Sequence, residues 1–203
     1  MLIGEGMTYV RAQKSQIDSW EKIGNKGWNW DSLFPYYLKT EQFHIPTPAQ
    51  LEAGGSYIAA DHGENGLLKI GYPYGLQNGS FSGMVETVWK TLGIPHNPDV
   101  NRGDVRGFTV WPSTLDREAN VREDAARAFY YPFQKRLNLH IFLHTTANRI
   151  IWEDGEEVVA AGVEVTTSNN TVLTLMARKE VVVSAGSLRS PAILELSGVG
   201  NPK

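Results

Sequence analysis

The 203-residue sequence contains no cysteine, so disulfide frameworks, thiolate zinc sites and thiol nucleophiles are excluded together within it. Reducing and oxidising compartments both permit such a chain, and the compartment stays open. No apolar run approaches the ~18 residues that a bilayer-spanning helix needs. The opening Met1-Leu2-Ile3-Gly4-Glu5-Gly6 lacks the basic and apolar regions of a signal peptide. No charge of one sign dominates either: 19 Lys+Arg against 22 Asp+Glu leave −3, which argues against nucleic acid as a partner, as the missing apolar runs argue against a membrane. What is present, 41% hydrophobic and 20% charged residues, is ordinary globular composition and excludes disorder. The length predicts one domain, or one and part of a second. No internal repeat or low-complexity tract is found. Two sequons, Asn78-Gly79-Ser80 and Asn169-Asn170-Thr171, sit in expected turns, and about one such match arises by chance.

Several chemistries are missing as well. Gly4-Glu5-Gly6 runs into Met-Thr-Tyr, so no GxGxxG stands in the sequence, and there is no Gly-x-Ser-x-Gly elbow. His140 and His144 have the i, i+4 spacing of a metal pair, but they fall in an alternating stretch that reads as a strand, where four residues span roughly 13 Å. One metal cannot be shared over that distance. His62 and His96 fall in loops without spaced partners and are expected to face solvent. Glu123/Asp124 and Glu156/Glu157 read as solvated surface. Spacing alone therefore assigns no catalytic residue and no metal ligand.

Periodicity places the elements. The stretch 1–9, with Gly4 and Gly6, predicts a short extended segment whose backbone comes close to something. Helices are predicted over 15–23 and from Asp31 as N-cap, with Pro35 near the first turn. Prolines and glycines make 46–79 turn-rich, with one strand at 67–70, and 40–66 is expected to be lid or interface surface. Apolar positions at each i, i+3, i+4 step predict a helix over 80–92, stopped by Gly93. A strand over 107–115 is expected to lead into a charged helix over 121–130. From 137 the period becomes two, predicting strands over 137–144, 149–152, 158–165 and 172–176, with a hairpin turn at 168–170. The run Val181-Val182-Val183 predicts a strand covered on both faces, followed by Ala185-Gly186-Ser187 and a helix with Ser190 as N-cap and Pro191 at N1. In that strand-turn-helix, Gly186 either lets a ligand approach the backbone or serves tight packing.

The stretch Gly186-Ser187-Leu188-Arg189-Ser190-Pro191-Ala192-Ile193-Leu194-Glu195-Leu196-Ser197-Gly198-Val199-Gly200 resembles the second signature of the glucose-methanol-choline (GMC) family of flavoenzymes. Gln16-Ile17-Asp18-Ser19-Trp20, Gly27-Trp28-Asn29-Trp30-Asp31 and Asn120-Val121-Arg122 with Asp124-Ala125-Ala126-Arg127-Ala128 resemble further blocks of that family in the same order. Within it, residues 46–54 and His62-Gly63-Glu64-Asn65-Gly66 are most similar to the fungal glucose oxidases.

The resemblance implies a mixed α/β chain: part of an FAD-binding domain with its β-meander, and part of a substrate domain. Residues 1–11 would end the FAD-contacting glycine loop, 12–136 would supply lid, linker helices and part of the substrate domain, and 137–203 the meander and the last strand-turn-helix of the FAD domain. It implies FAD as cofactor, with Glu5, Gly6, Thr8, Ala147 and Gly186 at cofactor-contacting positions and Tyr9 and Arg11 following the loop. Glu5 stands where the family has Asn or His, and an acid there adds like charge beside flavin or pyrophosphate. The activity implied is oxidation of the CH–OH group of a small alcohol or sugar by hydride transfer to flavin. Alternatives are a sugar dehydrogenase or aryl-alcohol oxidase of the family, or a non-catalytic remnant. Because the resemblance places the GxGxxG unit and the catalytic histidine outside these residues, the 203 residues alone are expected to be an inactive, marginally stable piece of a secreted parent, for which the resemblance suggests a homodimer.

Overall fold

In the computed structural model, residues 6–76 and 80–201 are described, so Glu5 and Asn78 lie outside the described residues. The chain divides into two compact units, Met1–Arg136 and Leu137–Lys203. Among the described residues no helix is long and apolar enough to cross a membrane.

In the first unit, an extended segment leads into α1 (Lys14–Lys22) and α2 (Trp30–Thr40). The α2 cap is Asn29, two residues before the expected Asp31, because the Asn29 side chain accepts from Ser32 N at 2.9 Å. Asp31 instead lies in the first turn and pairs with Lys14. A four-stranded sheet follows in chain order: β1 (Glu41–Phe43) parallel to β2 (Leu68–Gly71), then β3 (Ser113–Asp116) and β4 (Val121–Arg122), each antiparallel to its predecessor. Between β1 and β2 lies α3 (Pro48–Glu52), closed by a reciprocal cap between Thr47 and Gln50. Between β2 and β3 lies α4 (Ser80–Thr91), ending before Gly93 as its periodicity requires.

The core of this unit is Phe43, Ile70 and Tyr72, with Tyr9, Tyr57 and Val110 packed around it. Tyr72 is wholly buried, yet its hydroxyl donates to Ser56 O (2.7 Å), and burial pushes its pKa up to about 12. The expectation of surface for 40–66 is corrected here: Glu41, Phe43, Gln50, Ala53 and His62 are all buried. The expected strand over 107–115 is reduced to β3 and two single bridges at Phe108 and Val110, and Pro112, which has no N–H to donate, interrupts the ladder. The expected charged helix also shortens. Asn120 turns the chain with φ 52°, Val121 and Arg122 pair back on β3, and α5 (Ala125–Phe129) starts only after Asp124, which accepts from Arg127 N. Glu123 is buried rather than solvated, bonded to Arg127 (3.2 Å), which also reaches Asp116.

The second unit is an antiparallel meander of β5 (Thr146–Trp152), β6 (Ala160–Thr166) and β7 (Val172–Met176), with α6 (Gly186–Leu196) packed on β5. The β6–β7 turn forms where expected, with Asn170 at φ 61°. Residues 137–144 form no strand: both alternating sets face solvent, Leu137 at 94% and Phe142 at 54%, so no sheet face selects one of them. Val181–Val183 likewise has no ladder partner among the described residues, and Val182 is exposed. The helix after it begins at Gly186, with Ala185 as cap and Pro191 inside it, because the Ser190 hydroxyl reaches back to accept from Ala185 N (3.0 Å) rather than capping forward.

Candidate cofactor-binding site

Residues 6–11 run antiparallel to 111–114. Thr114 N donates to Met7 O (2.7 Å) and Tyr9 N to Pro112 O (2.9 Å), which sets Thr8 opposite Ser113. Strand alternation then sorts the side chains. Gly6, Thr8 and Val10 are exposed on one face, while Met7, Tyr9 and Arg11 turn inward with increasing burial. Two of the expected cofactor contacts therefore share an open face, and a Cβ at Gly6 would meet nothing closer than Thr8 Oγ1 at 3.7 Å.

Arg11 fixes that segment from below. Its guanidinium pairs with the buried Glu41 and donates to Asp61 O (2.7 Å) and Asn101 O (3.0 Å), while its backbone N–H donates to Asn101 Oδ1 (2.9 Å). Glu41 is shared with His62, whose Nδ1 lies 2.8 Å from Glu41 Oε1 and whose Nε2 lies 2.8 Å from Asp99 Oδ2. The imidazole stacks on Phe43 with ring centroids 3.7 Å apart. His62 is thus buried, contrary to the expected exposed loop residue.

The charge of this group follows from its partners. Burial opposes an imidazolium, but the hydrogen bonds to Asp99 and Glu41 outweigh it and raise the His62 pKa. Burial would raise Asp99 too, yet its bonds from His62 and from the Ile58 and Asn101 N–H groups hold it low. Arg11 and His62 thus stand among two buried carboxylates, Glu41 and Asp99. With both ring nitrogens engaged by carboxylates, His62 has no free nitrogen to serve as a general base. A sequence signal for it exists in the flanking glycines: a Cβ at Gly63 would lie 1.9 Å from Leu38 O and one at Gly66 2.2 Å from Thr40 O. Among the described residues no group of three or more His, Asp or Glu is placed to hold a metal ion.

In the second unit, Ala147 is exposed near the start of β5, opposite Val165, where the β5–β6 register shifts before Arg149. It lines a cleft of about 730 Å³ between β5 and α6, together with Ala185, Arg189 and Ile193. Gly186 opens α6 with φ +86°, and a Cβ there would meet nothing within 4 Å. Tight packing therefore does not account for this glycine; the left-handed turn does, and it leaves the backbone open on that side. The far end of α6 is fastened to the same strand. Ile150 N donates to Ser197 Oγ (2.8 Å) and Trp152 Nε1 to Ser197 O (2.7 Å).

These observations fit a flavin dinucleotide in each unit taken separately: an open strand face bearing Gly6 and Thr8, and an open cleft lined by Ala147, Ile193 and a cationic side chain, Arg189, next to the unobstructed backbone of Gly186.

Comparisons with known proteins identify the family. The family model described as GMC oxidoreductase matches residues 5–203. The glucose oxidase-like protein fsoC of Humicola fuscoatra is 50% identical over 189 residues, covering 91% of this chain and 32% of that protein. Glucose oxidase of Aspergillus carbonarius is 35% identical over 198 residues, covering 96% and 33%. Among solved structures, an FAD-dependent oxidoreductase from Chaetomium thermophilum matches with a TM-score of 0.83 at 32% identity, covering 95% of this chain and 33% of that one. The chain spans about a third of the length of each of these relatives. The mixed α/β fold is that of the FAD-binding region of these flavoproteins, as expected. With a match running nearly from end to end, the chain belongs to the GMC oxidoreductase family.

Proposed function

We propose that this chain forms part of an FAD-dependent oxidoreductase that acts on the CH–OH group of a small alcohol or sugar. When bound, FAD would supply the acceptor for a hydride from the alcohol carbon, with the hydroxyl proton passing to a base and the carbonyl product left behind. The chain's own share is to bind and orient. Gly6 and Thr8 present backbone and hydroxyl to the cofactor from a strand that Arg11 holds in place. Ala147 and Gly186 hold its nucleotide end along the cleft beside α6. In this reading 1–11 and 137–203 belong with the cofactor domain, and 12–136 supplies lid, linker helices and substrate side. Proton abstraction is not assigned to any described histidine; His62, the most buried candidate, is occupied on both nitrogens.

The observation that carries this reading is the sorting of residues 6–11, in which the positions expected to meet FAD are the ones left exposed while their neighbours are anchored. The test is to express the protein from its full reading frame, extract bound flavin, and follow anaerobic bleaching of flavin absorbance by glucose and by primary alcohols. Co-purified FAD that is reduced by one of these donors is expected. A protein that neither carries nor takes up FAD would overturn the proposal.

A further inference from the structure

Between α5, the turn at Tyr131–Phe133 and strands β1 to β3, the first unit holds a cavity of about 340 Å³. Gln42 of β1, Lys69 of β2 and Asp116 of β3 line it, together with Glu123, Arg127 and Tyr131 from the chain that follows. Because α5 packs on β2, Arg127 reaches the same carboxylate as Lys69.

The carboxylates of this cluster are occupied. Asp116 is buried; its Oδ2 accepts from Lys69 Nζ (2.7 Å) and Arg127 Nη2 (3.4 Å), and its Oδ1 accepts from the Glu118 and Ala119 N–H groups (3.0 and 3.1 Å). Glu123, also buried, accepts from Arg127 Nε (3.2 Å). The Lys69 ammonium lowers the Asp116 pKa and Asp116 raises that of Lys69, so both are ionised near neutral pH. The donors are less fully used. Lys69 gives one of its ammonium protons to Asp116, and Arg127 Nη1 donates to no described residue. The Gln42 amide and the Tyr131 hydroxyl also have no hydrogen-bond partner among the described residues. With the Lys69 side chain 29% and the Arg127 side chain 37% exposed, a ligand can reach these protons.

An excess of donors calls for a ligand that accepts. A carboxylate does so, and its paired oxygens suit a lysine and an arginine that already converge on one point. A polyol brings protons of its own, for which the occupied Asp116 and Glu123 leave few acceptors. A second negative charge on the ligand would be set against those same two carboxylates, which limits it to one. Leu67, Tyr131 and Pro132 complete the lining, and the first two are half exposed, so a short hydrocarbon chain finds an apolar wall.

We propose that this cavity binds a small aliphatic monocarboxylate, with the carboxylate between Lys69 Nζ and Arg127 Nη1 and the hydrocarbon chain against Leu67, Tyr131 and Pro132. None of these residues takes part in the cofactor reading, so the two proposals stand or fall separately.

The experiment titrates 4-methylpentanoate into the protein expressed from its full reading frame, observed by proton NMR, with 4-methylpentanamide as an uncharged ligand of the same shape. The acid should bind saturably with a Kd of about 1 mM or below, and the amide about tenfold more weakly or worse. Lys69→Met should weaken binding of the acid by about tenfold or more. Tyr131→Ser changes an exposed side chain outside the ion pairs and should reduce the preference for 4-methylpentanoate over acetate several-fold, so the proposal stays testable if Lys69→Met does not fold. No saturable binding, equal binding of acid and amide, or binding indifferent to both substitutions would overturn it. The presence or absence of FAD in the same preparation bears on the flavoenzyme reading alone.

Discussion

His62 Nε2 and Asp99 Oδ2 stand 2.8 Å apart inside the first unit, and the opposite ring nitrogen stands the same distance from Glu41. Stability should therefore depend on pH on both sides. The His62 pKa is raised above its ordinary 6.5, so its contribution is complete below about 6.5 and is lost as pH climbs through the higher folded value. The Asp99 pKa is depressed below 3.8, so its contribution is complete above about 3.8 and is lost as pH falls through the folded value. Thermal melts of the wild-type protein should show these two groups supporting stability best between those limits. In His62→Gln the decline on the alkaline side should flatten. That variant should also lose about 3–5 kcal/mol near pH 6, because Glu41 and Asp99 then face Arg11 alone.

Two glycines should respond to alanine in opposite directions. At Gly66 a Cβ would sit 2.2 Å from the Thr40 backbone, which cannot swing away like a side chain. Gly66→Ala should cost at least the ~1–3 kcal/mol of an overpacked core. Gly83 lies within α4 with nothing within 4 Å of its Cβ position, and Gly83→Ala should stabilise by about 0.5–1 kcal/mol through helix propensity. Denaturant midpoints of the two variants measure both effects.

Ser197 ties the end of α6 to β5 through its hydroxyl and its carbonyl. Ser197→Ala leaves the Ile150 N–H without its partner and should cost about 1 kcal/mol, with faster hydrogen exchange at Ile150 and altered Trp152 fluorescence. Ser197→Thr keeps the hydroxyl and should restore most of the protection. Unchanged exchange in the alanine variant would show that the helix holds its place without this bond.

Gly186 has room for a side chain but not the backbone angle for one. Gly186→Ala at φ +86° should cost about 1–2 kcal/mol by strain alone. It should also loosen FAD more than Gly155→Ala, another glycine with open space around it and a negative or extended φ. Equilibrium dialysis of flavin from the two variants makes the comparison.

The pattern of success in reading the sequence has a physical basis. α4 was legible because its apolar residues keep a helical spacing that Gly93 ends, and the β5–β7 meander because each strand pairs with the next one along the chain. The stretches 137–144 and 181–183 alternate or cluster in the right way, but a strand exists only when another strand accepts its hydrogen bonds, and none does among the described residues. The helix expected over 121–130 failed for a different reason: Asp124 is a good cap, and a cap marks where a helix begins, not its middle. His62, Glu41 and Asp99 were missed because they are 21 and 37 residues apart along the chain from the shared histidine. Hydrophobic periodicity carries no information on such a meeting. Gly63 and Gly66 did carry it, since glycine pairs beside a histidine fit a loop pressed against backbone.

Asn101 is tied to residues 9–11 three ways: it accepts from the Arg11 amide and from the Arg11 guanidinium, and its side-chain amide nitrogen donates to Tyr9 O. Residues 9–11 and the turn at 99–102 are in effect one rigid piece. A ligand arriving at Thr8 would meet a strand that is already ordered, so little of its binding energy would go into immobilising the chain, and substitutions around Asn101 should register as changes in ligand affinity at a surface they never touch.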